Sequence, residues 1–346
     1  MSQMIEEIRQ QPATLARMLS AELRGVERLR KLLEKKRPRL IVLVARGTSD
    51  NAALFGRYLL EITTGIPVSL AAPSVATLYG APLDYRDTLV VALSQSGEST
   101  DTNMVLEQAR QQGALTLGIT NESGSALARL AEHVILLRAG KEKSVAATKT
   151  YTGQMLAMYL LTYALGGAIK IADLERIPAA VEGALKLETE IDSLSERYRF
   201  MRFAVVVGRG LNYANAFEFS LKMMETCYVV AERFSSADFM HGPIALVEPN
   251  FPVFAFAPAG VTWPSISETL DRLKGLEAEI VALTDGANRE VDSRATKIIR
   301  LPGKMKEILT PIPYVVPAQL FAACLAAQKG LNPDRPRTLS KVTLTI

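Results

Sequence analysis

Thr88-Leu89-Val90-Val91-Ala92-Leu93 runs straight into Ser94-Gln95-Ser96-Gly97-Glu98-Ser99-Thr100-Asp101-Thr102. The first six residues are apolar apart from Thr88, without polar alternation, which predicts a strand covered on both faces. After the hydroxyl-rich stretch, Met104, Val105, Leu106 and Ala109 recur at helical spacing. The whole reads as strand, tight turn and first turn of a helix. The first backbone N–H groups of a helix lack internal partners and carry partial positive charge, so that position favours an anion. Gly97 lets the backbone come close to a ligand, and Ser94, Ser96, Ser99 and Thr100 add hydroxyl donors. The loop holds no Lys and no Gly-x-x-x-x-Gly-Lys, so it is not a nucleotide P-loop. An ordinary serine-rich helix cap fits the loop equally well, and the decision rests on the rest of the chain.

Working outward, strand-length apolar runs occur at Leu40–Ala45, Pro67–Ala71, Thr88–Leu93, Leu115–Ile119 and His133–Leu137, with helical segments starting near Asn51, Ser74, Asp101 and Ser125. Apolar strands separated by helices predict an α/β fold with a parallel sheet covered on both faces. The pattern recurs about 163 residues later at Phe203–Val207, Val253–Ala257, Ile280–Leu283 and Lys297–Leu301, which indicates a duplicated domain. An amphipathic helix over residues 14–33 opens the chain, and a helical pattern over 173–199 joins the halves. In doubly wound sheets ligands sit at the carboxyl ends of strands where the strand order reverses. Arg46-Gly47-Thr48-Ser49-Asp50-Asn51 and Ser94–Thr102 occupy such ends in the first half. The matching loops of the second half, Gly208-Arg209-Gly210 and Pro258-Ala259-Gly260, lack hydroxyls, so the first half is expected to bind the anion.

The 346 residues allow two domains of ordinary size, and a net charge of +4 suits a small anion rather than nucleic acid. Cys227 and Cys324 match no metal spacing and read as buried free thiols, which implies a reducing, cytoplasmic compartment. The N-terminus shows no signal peptide, and the apolar run Met155–Leu165 is too short to span a bilayer. No metal site, cofactor, membrane or nucleic-acid partner is expected.

Glu218, Lys222 and Glu225 fall on one face of a helix otherwise carrying Phe217, Leu221, Met224 and Tyr228. That stripe is either a solvated set of ion pairs or an acid–base group. His241, before Gly242-Pro243, is either a surface residue or one placed accurately by a turn. The tail Asp334–Lys341 is basic and irregular, either a loose end or a functional segment.

Taken together these pieces resemble the sugar isomerase (SIS) domain family, and within it the isomerase half of glucosamine-6-phosphate synthase. The matching residues are Gly47-Thr48-Ser49, Ser94-Gln95-Ser96-Gly97-Glu98, Val145-Ala146-Ala147-Thr148-Lys149, Gly208-Arg209-Gly210, Glu218 with Leu221-Lys222 and Glu225, His241-Gly242-Pro243, and Pro336-Arg337 with Leu339 and Lys341. The resemblance implies two tandem flavodoxin-like domains. It divides the chain into an N-terminal helical segment (1–36), a first domain (37–168), a helical connector (169–200), a second domain (201–330) and a closing tail (331–346). It also implies that Thr48, Ser49, Ser94, Gln95, Ser96 and Ser99 hold the phosphate of a hexose or hexosamine, with Val145 and Ser340 lining the sugar. Glu225 would move the proton between C1 and C2, Lys222 would stabilise developing negative charge, and Lys341 could form an imine. His241 would open the sugar ring from the neighbouring subunit of a homodimer.

The chain also departs from the synthase pattern. Ala147 stands for a serine, Met224 for a lysine, and Arg46 for a small residue before Gly-Thr-Ser. No N-terminal cysteine marks a glutaminase, so glutamine hydrolysis is not expected. The wording around Arg46 and Lys341 is similar to the stand-alone glucosamine-6-phosphate deaminases and fructosamine-phosphate deglycases. The expected activity is conversion of glucosamine 6-phosphate to fructose 6-phosphate and ammonia. A glutaminase-lacking synthase subunit docking a partner through residues 14–33, a deglycase, and a non-catalytic sugar-phosphate sensor are the alternatives.

Overall fold

The computed structural model describes residues 2–341, so 342–346 of the expected tail lie outside the described residues. The elements in chain order are α1 (Gln3–Arg9), α2 (Gln11–Lys35), β1 (Leu40–Val44), α3 (Thr48–Thr64), β2 (Val68–Leu70), α4 (Ser74–Thr77), β3 (Thr88–Leu93), α5 (Thr100–Gln111), β4 (Leu115–Thr120), α6 (Ala126–Leu130), β5 (His133–Leu136) and α7 (Lys149–Ala164). They continue with α8 (Ile171–Leu174), α9 (Ile177–Leu185), α10 (Glu188–Glu196), β6 (Phe203–Gly208), α11 (Tyr213–Cys227), β7 (Val230–Ser235), α12 (Ser236–Met240), β8 (Pro252–Phe256), α13 (Trp263–Gly275), β9 (Glu279–Asp285), β10 (Lys297–Leu301) and α14 (Pro311–Gln328). The contacts gather the chain into two compact units. The N-terminal unit comprises 13–142, 149–176 and the described part of 340–346. The C-terminal unit comprises the described part of 1–12, 143–148 and 177–339.

In the N-terminal unit the strand order is β2-β1-β3-β4-β5, all parallel. Alternation along each strand sends side chains to opposite faces. Val42, Val44, Val90 and Ala92 pack with Val105, Leu106 and Ala109 of α5 and Leu127 of α6. On the other face α3 packs against α7, where a Cβ at Gly56 would lie 2.4 Å from the sulfur of Met158. A buried glutamate, Glu22, ties α2 to β5 by accepting from Leu136 N and Arg138 Nε.

The C-terminal unit repeats the topology, with order β10-β9-β8-β6-β7 and every pair parallel. One face packs Val205, Val207, Val253 and Ala255 on Ile266, Leu270 and Leu273 of α13. The other holds an aromatic cluster in which Phe254 lies 5.1 Å from Phe219, 5.0 Å from Phe321 and 5.8 Å from Tyr198, centroid to centroid. Helix α14 is apolar and long enough to cross a membrane by composition, but 89% of it is buried within the protein. Both cysteines are buried free thiols, and burial pushes Cys227 up to about 11 and Cys324 up to about 12.

The order 2-1-3-4-5, found in both units, defines the flavodoxin-like doubly wound fold. Strands β3 and β10 have the expected bounds, the other seven expected strands shift by one or two residues, and β7 is an additional strand. Two differences have a local cause. Helix α3 starts at Thr48, not near Asn51, because Gly47 turns the chain at φ +57° and serves as its N-cap. Helix α2 includes Pro12, since a proline in the first turn removes an N–H that has no helical partner anyway.

Phe254→Ala empties the centre of the aromatic cluster, and the expected loss is about 3–5 kcal/mol of unfolding free energy. Urea denaturation should show it, whereas Phe203→Ala, at an exposed position of β6, should stay within about 0.5 kcal/mol.

Candidate active site

β1 and β3 are neighbours in the sheet, and α3 and α5 leave their ends toward opposite faces. This is the point where strand order reverses, and two helix N-termini flank it. Thr48 and Ser49, expected on a loop, form the first two residues of α3. Ser94, Gln95, Ser96 and Gly97 form the turn after β3, and Ser99 is the N-cap of α5. Gly97 adopts φ +69°, and a Cβ there would sit 2.1 Å from Ser125 Oγ, so both conformation and space demand glycine.

The loop's hydroxyls are organised as donors. Ser94 Oγ accepts from Gly97 N at 3.1 Å, and Ser96 Oγ accepts from Glu98 N at 3.3 Å. A hydroxyl that accepts from the backbone still has its own proton to give, and an anion needs donors. Ser49 Oγ is held in the same way by Gln154 Nε2 at 2.8 Å. Gln154 went unrecognised in the sequence, although it is the polar residue next to the apolar run of α7. Ser99 Oγ pairs with Thr102 Oγ1 at 3.0 Å.

In the same unit Lys341 Nζ lies 2.9 Å from Glu142 Oε2, and the fully buried Glu142 carboxylate also accepts from Thr150 N and Thr150 Oγ1. Attack on a carbonyl would require the amine to leave this carboxylate and give up a proton. Glu142 was also missed, though it is the acid within the basic stretch Lys141–Lys149. Lys149 is buried and donates to Lys141 O at 2.9 Å. Ser340 is exposed.

The C-terminal unit holds the other expected residues. Lys222 Nζ lies 2.6 Å from Glu225 Oε2 and 3.4 Å from Glu218 Oε1 on α11. Glu218 and Lys222 are fully buried, and only Glu225 reaches water, with 23% of its side chain exposed. Their helix face is therefore not a solvated stripe. Burial pulls the Lys222 ammonium down, but the charges of Glu218 and Glu225 outweigh it and raise the group above its ordinary value. Lys222 thus stays a cation beside a partly exposed carboxylate.

His241 is exposed in a turn between the buried Phe239 and Gly242, which adopts φ +149°. Val145 is half-buried, and its N–H donates to Asp334 O at 3.3 Å. The same segment is held by Glu7, whose carboxylate accepts from Lys143 N and Ser144 N. Arg337 stacks 3.8 Å from the Tyr228 ring centroid, and its N–H donates to the Tyr228 hydroxyl.

The loop after β8 is built differently from its counterpart after β3. Thr262, the N-cap of α13, donates from its hydroxyl and its N–H to the Glu307 carboxylate. Gly260 makes room for that carboxylate, since a Cβ there would lie 2.1 Å from Glu307 Oε2. A side-chain anion occupies the helix end.

Two doubly wound sheets, with a hydroxyl-rich turn at the switch point of one, define a class of tandem flavodoxin-like α/β proteins. The SIS domain signature matches residues 32–164 and 202–329, and the chain belongs to that family. It is 36% identical over 345 residues to the glutamine–fructose-6-phosphate aminotransferase (isomerizing) of Pyrococcus horikoshii, covering 98% of this chain and 57% of that protein. The chain therefore spans little more than half the length of the curated relatives it matches. Among solved structures it is similar to the C-terminal domain of glucosamine-fructose-6-phosphate aminotransferase from Francisella tularensis, with TM-score 0.87 and 29% identity over 96% of this chain and 98% of that one. It shares its fold with glucosamine-6-phosphate deaminase from Thermotoga maritima, at TM-score 0.76 and 20% identity over 99% of this chain and all of that one.

Lys222→Met leaves the buried Glu218 carboxylate without its counter-charge, and the expected cost is about 3–5 kcal/mol. Denaturant titration should register the loss, and adding Glu218→Gln to Lys222→Met should recover part of it.

Proposed function

We propose that this chain is a phosphosugar isomerase acting on amino-sugar phosphates, converting glucosamine 6-phosphate and water to fructose 6-phosphate and ammonia. The observation that carries the reading is the Lys222–Glu225 pair. It supplies a carboxylate at the edge of water beside a permanent cation, which suits moving a proton between adjacent carbons while charge develops on oxygen. The donor loop of the N-terminal unit supports a phosphorylated substrate. Ser94, Gln95, Ser96, Ser99, Thr48 and Ser49 are assigned to the phosphate, and Val145 and Ser340 to the sugar. Lys341 is assigned to the carbonyl carbon. The matching aminotransferases favour a second reading, amination of fructose 6-phosphate with ammonia from a glutaminase.

Incubation with glucosamine 6-phosphate, following ammonia and fructose 6-phosphate, separates the readings. Ammonia release without glutamine is expected, and Glu225→Gln should lower kcat by roughly a hundredfold to ten-thousandfold. Release of free amino acid only from fructosamine 6-phosphates would move the assignment to a deglycase. Turnover only with a glutamine-hydrolysing partner would move it to amination. Unchanged turnover in Glu225→Gln would remove the catalytic assignment.

His241, exposed on a fixed turn, is assigned ring opening in the neighbouring subunit of a homodimer. Mixing inactive His241→Ala and Glu225→Gln chains should then restore part of the activity. Full activity in a monomer at high dilution would contradict it.

A further inference from the structure

Arg46 has no role in the reaction proposed above, yet it lies at the mouth of the donor loop. It follows Ala45 at the carboxyl end of β1, beside the end of β3. Its Nε and Nη2 both donate to Asp101 Oδ2, at 3.0 and 2.6 Å. Asp101 belongs to the first turn of α5 and is 1% exposed. Its other oxygen, Oδ1, is buried and has no hydrogen-bond partner among the described residues. A buried carboxylate at this helix end carries the same sign of charge as the anion the loop is built to take. Its compensation comes through one oxygen and one side chain.

The guanidinium itself is not used up by that contact. Arg46 is 49% exposed, and its Nη1 makes no hydrogen bond within the protein among the described residues. Arginine has five N–H donors in a planar fork, and two are engaged by Asp101. The remaining edge suits the oxygens of a phosphate, and its orientation is fixed before a ligand arrives. The charge of Arg46 also acts on Asp50 in the first turn of α3, where desolvation raises the carboxyl and Arg46 opposes the rise.

We propose that Arg46 is a phosphate-recognition residue, donating from Nη1 to the substrate phosphate while buried Asp101 holds the guanidinium over the first turn of α5. The proposal rests on the reading of the Ser94–Ser99 loop as the phosphate site. Binding of inorganic phosphate and of glucosamine 6-phosphate to the full chain, measured by titration calorimetry at fixed ionic strength, tests it. Arg46→Gln should weaken both by roughly tenfold to a hundredfold. Because that variant leaves Asp101 uncompensated, Asp101→Asn and the double variant complete the cycle, and thermal unfolding checks that each is folded. The double variant should bind phosphate at least about tenfold more weakly than Asp101→Asn alone. Equal affinities would mean that Arg46 only neutralises Asp101, and the proposal would be wrong. Binding weakened by Ser96→Ala but not by Arg46→Gln would leave the loop as the phosphate site and remove Arg46 from it. No binding to the unmodified chain would overturn both.

Discussion

A parallel strand covered on both faces meets water only at its ends, and this constraint decides where chemistry can sit in each sheet of the chain. In the N-terminal unit, helices leave β1 and β3 on opposite faces, so the ends of those strands stay uncovered. The groups available there are the ones a helix cannot satisfy for itself, its first N–H donors. Hydroxyls at 48, 49, 94, 96 and 99 extend that donor set, and Gly97 keeps the turn tight enough for it to form. The loop is a consequence of the sheet order rather than an addition to it.

Buried and partly buried carboxylates perform a second kind of work, which is joining segments distant in sequence. Glu7 on α1 holds the backbone of 143–144, and Asp334 caps the start of α1 through Gln3 N and Met4 N. Glu142 does the same for Lys341 and the start of α7. Each carboxylate accepts from at least two donors, the condition under which a buried charge stops being a liability. Lys222 between Glu218 and Glu225 follows the same rule with the signs reversed. Removing one partner in such sets costs more than the contact was worth, because the other charge stays buried.

The fold was largely legible because its signals are local. Apolar runs bounded by turns marked nine of the strands, and the repeat fixed the fold class. β7 escaped because Glu232 and Arg233 interrupt its apolar run, as suits an edge strand with one solvated side. It lies about 162 residues after β2, so the repeat itself pointed to it. The identities of Ser94, Ser96 and Ser99 were legible from the turn chemistry. What the sequence could not disclose were partnerships across it, such as Gln154 on Ser49, Glu142 on Lys341 and Arg46 on Asp101. Long-range pairs leave no periodic trace, and their members look like ordinary polar residues. The helix face bearing Lys222 was ambiguous for the same reason, since spacing alone does not say whether a stripe of charge meets water or core.

The Glu307 carboxylate at the start of α13 can be viewed as a ligand that is part of the chain. Tethering gives it a local concentration that dilution cannot lower, so free anions compete against an occupant that never diffuses away. The two copies of the duplicated fold thus relate differently to their surroundings. A helix end filled from solution gains stability with the logarithm of the ligand concentration, and so reports the metabolic state around it. A helix end filled by its own side chain has a fixed stability and reports nothing. If the loop after β3 takes its anion from solution, as proposed above, that copy responds to its ligand's abundance, while the Glu307-filled copy stays constant.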